Sequence, residues 1–218
     1  MKLIKYPRTP HLPWSPGKTN DDRVASQKCI EQLSDGRELV VTEKMDGGNL
    51  TFYKGAFHGR SLDSGTHAWD TRARALWAEV QDSIPEDWRI SGESMWARRS
   101  VAYENLPSIF LVFHIWDEFN NALSWDSVKE YSELLNLVTV PEIYRGHDFN
   151  EVVDAWSKIH SSETSEGFVV RTAGSFSYED FNLNVAKFVR EDHIQTRADW
   201  RYRDDFAVNS FQNDRKGD

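Results

Sequence analysis

A lysine, an acid and a glycine lie together in Lys44-Met45-Asp46-Gly47, directly after the apolar run Leu39-Val40-Val41. The apolar run predicts a strand, so the lysine lies at a strand end, where an amine can serve as a nucleophile. A lysine attacks phosphorus only as the neutral amine, so it needs a desolvated site or neighbouring cations that lower its pKa from about 10.4. Taken alone, the tetrapeptide fits equally well an exposed lysine that begins an Asp-Gly hairpin turn.

Four further segments place charged residues at predicted strand ends. They are Gly59-Arg60-Ser61, Gly92-Glu93-Ser94, Glu166-Gly167-Phe168-Val169-Val170-Arg171 and Val185-Ala186-Lys187-Phe188-Val189-Arg190. Carboxylates are the oxygen ligands that Mg²⁺ prefers, and cations can neutralise charge that develops on phosphoryl oxygens. Each acid alone is typical of a solvated surface carboxylate, but the joint placement favours phosphoryl-transfer chemistry.

In this order the segments resemble the motifs of the covalent nucleotidyltransferase superfamily of polynucleotide ligases and capping enzymes. Lys44 to Gly47 resembles the nucleophile motif, Gly59-Arg60-Ser61 the arginine motif that follows, and Gly92-Glu93 the third motif. The run Phe110 to Trp116 resembles the aromatic segment that stacks the purine, and the segments at 166–171 and 185–190 resemble the fourth and fifth motifs. The resemblance covers about 43–190, and the run 189–196 is most similar to small phage and bacterial ATP-dependent RNA ligases.

The resemblance implies that Lys44 attacks the α-phosphate of ATP, expels pyrophosphate and becomes a lysyl-adenylate. The AMP then passes to a 5′-phosphate, and a 3′-hydroxyl displaces it. Arg60 and Lys187 are expected to be catalytic with Lys44, because they can stabilise charge on the phosphoryl oxygens. Glu166 is expected to hold Mg²⁺ or Mn²⁺, and Asp46 either lies near the metal or fixes the turn. The residues expected to bind the nucleotide are Glu43, Lys44, Arg60, Glu93, Phe113, Glu166, Lys187 and Arg190.

The resemblance also gives Glu93 a role, and it leaves the assignments of Phe113 and of the fifth-motif cations open. Glu93 is expected to accept hydrogen bonds from the ribose hydroxyls, as the third motif of the family does. Phe113 aligns best with the residue that stacks the purine, but a phenylalanine in an apolar strand is also typical of a core. The fifth motif of the family usually carries two lysines one residue apart, whereas this sequence has Lys187 alone, with Arg190 as the candidate second cation.

The net charge of -9 weighs against a nucleic-acid enzyme, because phosphate contacts usually come from a basic surface. Positive charge is nevertheless clustered. Arg98 and Arg99, close in sequence to Glu93, are expected to contact a nucleic acid. A second basic run, at 197–203, interleaves arginines with Trp200 and Tyr202 and fits either a strand-binding tail or a solvated terminal element. The expected partner is RNA, with DNA or mixed ends left open.

Length and composition predict one globular domain. The 218 residues suffice for one core, and 39% hydrophobic residues with nine tryptophans indicate a folded chain. We expect a single nucleotidyltransferase domain over 1–218, in which 191–218 is a short tail and no downstream OB-fold or other domain follows. The single Cys29, the absence of a long apolar run and the polar N-terminus predict a cytoplasmic protein with no membrane contact. The oligomeric state is left open.

The predicted fold class is α+β, with antiparallel β-sheets flanked by helices. The resemblance implies the adenylation domain of the nucleotidyltransferases, of the ATP-grasp-like ligase type. Helices are predicted from Asn20 or Asp21 through Leu33, over 68–80, over 125–135 with Ser124 as the cap, and over 150–160 with Asp148 as the cap. Strands are predicted at 39–42, 50–53, 109–115, 167–171 and 184–189, and loops at 17–22 and 173–177.

Three functions fit these features. The first is ATP-dependent RNA end joining. The second keeps the covalent chemistry but changes the nucleotide or the acceptor, as in GTP-dependent capping or DNA nick sealing; a capping enzyme would carry a further downstream domain, and a short DNA ligase would carry added basic segments. The third is a nonenzymatic nucleotide- or RNA-binding domain, which the presence of Lys44, Glu93 and Glu166 disfavours.

Overall fold

The computed structural model describes residues 2–62, 68–159, 165–191 and 207–212. The described residues form the predicted α+β fold, in which nearly all strand pairs are antiparallel. The strands are β1 (Leu39–Glu43), β2 (Gly48–Tyr53), β3 (Ala56–Gly59), β4 (Arg89–Ser94), β5 (Phe110–Trp116), β6 (Asn121–Ala122), β7 (Val138–Thr139), β8 (Glu142–Gly146), β9 (Gly167–Thr172), β10 (Phe176–Ser177) and β11 (Val185–Val189). The helices are α1 (Gln27–Leu33), α2 (Thr71–Val80), α3 (Trp125–Leu134), α4 (Glu151–Ile159) and α5 (Phe181–Asn184), with 3₁₀ turns at Ala68–Asp70 and Gln81–Ser83.

The first sheet has four strands in the order β11-β9-β1-β8. The side chains of β1 are buried along its whole length, which explains its continuous apolar run. They alternate between two cores, because Val40 packs in one hydrophobic cluster while Leu39 and Val41 pack in another with α1 and α4. Strand β1 is therefore packed on both of its faces, and this packing fixes the position of its C-terminal end.

The second sheet has seven strands, in the order β10-β6-β5-β4-β2-β3 with β7 parallel to β5. The rings of Phe52 on β2 and Phe110 on β5 stack at a centroid distance of 4.1 Å. Trp125 and Val128 of α3 belong to the same cluster, so the helix covers this face of the sheet. Ser124 caps α3 as predicted, since its Oγ accepts a hydrogen bond from the Ser127 backbone N–H.

The turn Lys44–Gly47 connects the two sheets, because β1 belongs to the first and β2 to the second. A Cβ atom added to Gly47 would lie 2.4 Å from the carbonyl oxygen of Ser94 on β4. Only glycine allows that approach of the two backbones. The predicted nucleophile thus lies at the crossing point between two separately hydrogen-bonded sheets.

The predicted start of the first helix is wrong, because α1 begins at Gln27 and not near residue 20. Ser26 is the N-cap, and its side chain accepts a hydrogen bond from the Cys29 N–H. The residues just before it are extended instead: the Ala25 N–H donates to the carbonyl of His11 at 2.7 Å, and His11 forms a parallel bridge with Val24. This pairing with a distant segment prevents an earlier helical turn.

The predicted strands are confirmed within about two residues of their observed ends. The predicted loop at 173–177 is wrong in part, because Phe176 and Ser177 form β10, which pairs with β6. The fourth helix begins at Glu151, and its predicted end at His160 lies outside the described residues. The basic run at 197–203 also lies outside them.

Candidate active site

A cavity of about 730 Å³ lies between the two sheets. It brings together residues that are far apart in the sequence, from the end of β1, the turn after it, the end of β3, and strands β4, β5, β9 and β11. The predicted site residues that line it are Glu43, Lys44, Asp46, Arg60, Glu93, Arg99, Phe113, Glu166 and Lys187. Arg98 and Arg190 are not among its lining residues.

Lys44 directly follows β1, and its main chain is fixed by the neighbouring strand. Its backbone N–H donates to the carbonyl of Gly167 at 2.9 Å. Its Nζ donates to Oε2 of Glu166 at 2.5 Å, and both side chains are largely withdrawn from solvent. The structure therefore holds the lysine amine and the fourth-motif acid in direct contact across the β1–β9 ladder.

The pKa of Lys44 is raised, which corrects the expectation that the site would lower it. Burial of the amine does lower the pKa, as predicted, but the negative charges of Glu166, Glu93 and Asp46 outweigh that effect. The lysine is therefore an ammonium ion in the structure. Only the neutral amine is a nucleophile, so an attack by Lys44 would require its ion pair with Glu166 to loosen first.

Glu93 lies on β4 at a point where two strands approach closely. A Cβ atom added to the preceding Gly92 would lie 2.4 Å from a ring carbon of Phe110 and 2.7 Å from the carbonyl oxygen of Leu111, so a glycine is required there. Burial raises the pKa of the Glu93 carboxyl to about 7, with Lys44 and Arg99 opposing that rise and other carboxylates adding to it. Glu93 is thus partly protonated at neutral pH and can both donate and accept hydrogen bonds.

The two predicted phosphate-binding cations lie on opposite sheets. Lys187 is on β11, paired with Val169 of β9, and Arg60 is exposed directly after β3. Burial and the nearby charge of Lys44 lower the pKa of Lys187 to about 8. At neutral pH Lys187 therefore still carries a positive charge. An anionic ligand next to it would raise its pKa and stabilise that charge further.

Phe113 is the only residue of β5 that is not fully buried. Its ring lines the cavity and meets the ring of Tyr6 edge-on at a centroid distance of 5.0 Å. A planar base can stack on an aromatic face that is exposed to a cavity in this way. The burial pattern therefore distinguishes Phe113 from its neighbours on the strand.

Asp46 holds the turn in the structure. Its Oδ2 accepts hydrogen bonds from the backbone N–H groups of Ser100 at 2.7 Å and Val101 at 3.0 Å. Its own backbone N–H donates to the hydroxyl of Tyr103 at 3.0 Å. Of the two roles considered for Asp46, these bonds correspond to fixing the turn.

The carboxylates fit a metal ion that keeps most of its own water ligands. Among the described residues, no group of three or more His, Cys, Asp or Glu side chains is placed to hold a metal ion. Mg²⁺ is commonly held by one or two carboxylates together with water and substrate phosphates, not by a cage of protein ligands. Glu166 is suited to that arrangement because it is buried at the cavity wall next to Lys44.

The sequence-predicted cations Arg98 and Arg190 lie away from the cavity lining. Arg98 is exposed, and its backbone N–H donates to the carbonyl of Ala207. Arg190 is buried, and its Nε donates to the carbonyl of Ser165 at 2.9 Å. The Arg190 side chain is thus engaged with the backbone just before Glu166.

The N-terminal segment forms a wall of the cavity that the sequence analysis missed. Tyr6, His11 and Asp22 all line it. The segment lies beside β11, since the Lys187 N–H donates to the carbonyl of Pro10 and the Leu12 N–H donates to the carbonyl of Lys187. The contacts join residues more than 170 positions apart, so no local sequence pattern signals them.

Arg171, like the N-terminal segment, is a part of the site to which no role was assigned from the sequence. It is fully buried at the cavity wall, and its guanidinium donates to the carbonyls of Leu123 at 2.8 Å and Thr172 at 3.1 Å. Burial lowers its pKa to about 10, so it remains charged at neutral pH. In the sequence, the feature that could have indicated Arg171 as a site residue is its position at the end of the strand that resembles the fourth motif.

The fold is similar to that of several solved nucleic-acid ligases. An RNA ligase of Naegleria gruberi, solved with pyrophosphate, matches with a TM-score of 0.57 and 18% identity, over 89% of this chain and 63% of that one. An archaeal ATP-dependent RNA ligase matches with a TM-score of 0.56 and 16% identity, over 86% and 48% of the two chains. A protein of Aquifex aeolicus, provisionally assigned as an ATP-dependent DNA ligase, matches with a TM-score of 0.57 and 19% identity, over 86% and 50%. At these identities the likeness shows the fold alone.

The family assignment comes from the sequence. The model of the RNA ligase family matches residues 37–189, and the chain belongs to that family. The chain spans about three fifths or less of the length of the solved ligases above. No curated protein matches the sequence. In the described ranges, no helix is both long enough and apolar enough to cross a bilayer.

Proposed function

We propose that this chain is an ATP-dependent RNA ligase that joins 5′-phosphate and 3′-hydroxyl ends through a lysyl-AMP intermediate on Lys44. The observation that carries the proposal is the position of the Lys44 amine. It lies in a cavity between the sheets, 2.5 Å from Glu166, with Glu93, Lys187 and Arg60 on the same walls. Membership of the RNA ligase family and the fold shared with ATP-dependent RNA ligases support the choice of ATP and RNA.

The proposed reaction has three displacements at phosphorus. The neutral Lys44 amine attacks the α-phosphorus of ATP, so that an N–P bond forms, the bond to the β-phosphate oxygen breaks, pyrophosphate leaves, and the nitrogen gives a proton to solvent. A 5′-phosphate oxygen then attacks the same phosphorus and breaks the N–P bond, and the nitrogen takes up a proton and becomes the free amine again. Finally the 3′-hydroxyl loses its proton and attacks the activated 5′-phosphate, and AMP leaves.

The chain's own residues have distinct tasks in this scheme. Lys187 and Arg60 neutralise charge on the phosphoryl oxygens from opposite sides of the cavity. Glu93 binds the ribose hydroxyls, for which its pKa of about 7 allows either hydrogen-bond direction. Phe113 stacks the base. Glu43 lies at the end of β1 and lines the cavity, which supports a contact with the nucleotide.

Glu166 has two tasks, and they are linked. In the structure its charge contributes to the raised pKa of Lys44. Glu166 is also the proposed ligand of Mg²⁺ or Mn²⁺, and Asp46, whose Oδ2 is taken by two backbone N–H groups, is the weaker candidate. A divalent ion held by Glu166 would supply positive charge that offsets the charge of the phosphate oxygens. For the chain's own residues, the requirement is that the ion pair between Lys44 and Glu166 loosens, because that pair stabilises the ammonium form of the lysine.

The RNA ends are proposed to approach over the loop that follows β4. Arg99 lines the cavity next to the turn at Gly48, and Arg98 is exposed beside it. A guanidinium at each of these positions can bind phosphate through two parallel hydrogen bonds.

The free, buried Cys29 supports a reducing cytoplasm as the location of the reaction.

The test is covalent labelling of the purified chain with ATP or GTP labelled at the α-phosphate, in the presence of Mg²⁺. We expect label from ATP that survives a denaturing gel and maps to Lys44 by peptide mass analysis. Lys44→Ala should abolish the label. Lys54→Ala is the matched control, because Lys54 is exposed in the β2–β3 turn and lies outside the cavity lining.

The outcomes separate the alternatives. Label from GTP alone would replace ligation by capping, and absence of label from both would leave a nucleotide- or RNA-binding domain. Label that persists in Lys44→Ala would refute the nucleophile assignment. Given labelled protein, sealing of a 5′-phosphorylated RNA but not of the matching DNA strand is expected, and preferential sealing of DNA would refute the proposed acceptor.

A further inference from the structure

Residues 207–212 form a short segment, here called the C-terminal clasp, that binds the loop between β4 and β5. The Arg98 N–H donates to the carbonyl of Ala207 at 3.0 Å, and the Leu106 N–H donates to the carbonyl of Ser210 at 2.9 Å. The Phe211 ring is buried and stacks on Trp96 at a centroid distance of 6.0 Å. The clasp therefore fixes this loop at both of its ends.

The side chain of Asn209 is the centre of the clasp. It is only 3% exposed, and both ends of its amide are bonded. Nδ2 donates to the carbonyl of Met95 at 2.7 Å, and Oδ1 accepts from the backbone N–H of Tyr103 at 3.0 Å. Because an unpaired buried amide is costly, this geometry holds Met95 and Tyr103 in one relative position.

Tyr103 transmits that position to the turn that carries Lys44. Its hydroxyl accepts the backbone N–H of Asp46 at 3.0 Å. Burial raises the pKa of this hydroxyl, so it stays protonated at neutral pH. The Asp46 carboxylate in turn accepts from the N–H groups of Ser100 and Val101, which belong to the same loop. Loop and turn are thus bonded reciprocally.

We propose that Asn209 is a positioning residue for nucleotide transfer. It fixes Tyr103, which fixes the backbone of Asp46 and with it the direction of the Lys44 side chain toward the cavity. The inference rests on the proposed function of Lys44. Asn209 lies outside the matched family region of 37–189, whereas Tyr103 and Asp46 lie inside it.

The test is a double-mutant cycle on lysine adenylylation, with Asn209→Ala, Tyr103→Phe and the double variant. The loss of one positioned hydrogen bond should lower the rate constant at saturating ATP about tenfold. Both variants break the same chain of contacts. We therefore expect the rate constant of the double variant to be about tenfold below that of the parent, as in each single variant, with KM for ATP unchanged. Ser210→Ala is the matched control, since the Ser210 hydroxyl accepts only the exposed Asn105 N–H among the hydrogen bonds described.

Two kinetic outcomes would overturn the proposal: a rate for folded Asn209→Ala equal to that of the parent, or effects that multiply in the double variant. Tyr103→Phe removes a single oxygen and keeps the packing, so it carries the test if Asn209→Ala fails to fold. A second readout needs no activity. Amide exchange at Asp46, Ser100 and Val101 should be faster in Asn209→Ala than in Ser210→Ala, and equal exchange would refute the positioning role even if the parent chain forms no lysyl-AMP.

Discussion

Replacement of Glu93 by glutamine should stabilise the ligand-free protein in alkaline solution. Burial raises the pKa of this carboxyl from its ordinary 4.5 to about 7, so the folded state binds a proton more tightly than the unfolded state. That rise in pKa corresponds to a cost of about 3 kcal/mol when the carboxylate is fully ionised. Glutamine has nearly the same shape but no charge, and so it avoids the cost.

The sign of the pH dependence follows from the direction of the pKa change. Below about pH 4.5 Glu93 is protonated in both states, and the two proteins should be equally stable. As the pH rises from there to about 7 the parent loses stability relative to Glu93→Gln, and above about pH 7 the difference is constant. The pKa of about 7 already includes the Coulomb attraction of Lys44 and Arg99, so about 3 kcal/mol is the net difference expected above about pH 7.

Urea unfolding of metal-free protein, at several values between about pH 5 and about pH 9, measures this difference. The control is Glu130→Gln, because Glu130 is an exposed residue of α3. A difference between Glu93→Gln and the parent that does not change with pH would refute the reasoning. A variant that is less stable than the parent at about pH 9 would refute it as well.

Three further predictions concern packing, base binding and phosphate binding. Gly92→Ala should lower the free energy of unfolding by about 1–3 kcal/mol in a urea titration because of the ring clash described above, whereas Gly174→Ala, with open space at its Cβ, should change it little. Phe113→Leu should weaken ATP binding about tenfold in a calorimetric titration through the lost stacking, while Phe119→Leu, at a position 77% exposed, should leave it unchanged; equal affinities would contradict the stacking role. Because the pKa of Lys187 is about 8, ATP affinity of the parent should fall as the pH rises above that value, and Lys187→Arg should remove the fall; a parallel decline in both proteins would count against this lysine as a phosphate ligand.

Local sequence patterns are sufficient to predict much of the central architecture. The apolar run at 39–41 and the strand at 167–171 are identifiable because both are buried on a sheet that is covered on its two faces. The charged residues at strand ends then come together because neighbouring strands bring their ends to one region. The resemblance assigns Lys44 and Glu166 to one site, and the structure brings their side chains into contact.

The parts that the sequence did not predict depend on contacts between distant residues. The first helix starts late because Ala25 bonds to His11, and helix propensity carries no information about that pairing. The pKa of Lys44 rises and does not fall because three carboxylates surround it, and their distances are set by the fold. The sequence predicts a short tail at 207–212, whereas in the structure this segment is the clasp, which is hydrogen-bonded to Tyr103 and Met95.

The crossing of the chain from one sheet to the other at Lys44–Gly47 divides the proposed nucleotide contacts between two sets of strand pairs. Glu166 and Lys187 lie on or next to the four-stranded sheet, whereas Glu93 and Phe113 lie on the seven-stranded sheet and Arg60 directly follows its strand β3. Substitutions in β4 and β5 can therefore change which base and sugar are accepted without disturbing the strand pairs that hold Lys44 against Glu166. Selection for a new nucleotide and selection for a faster transfer would act on different sheets of the same domain.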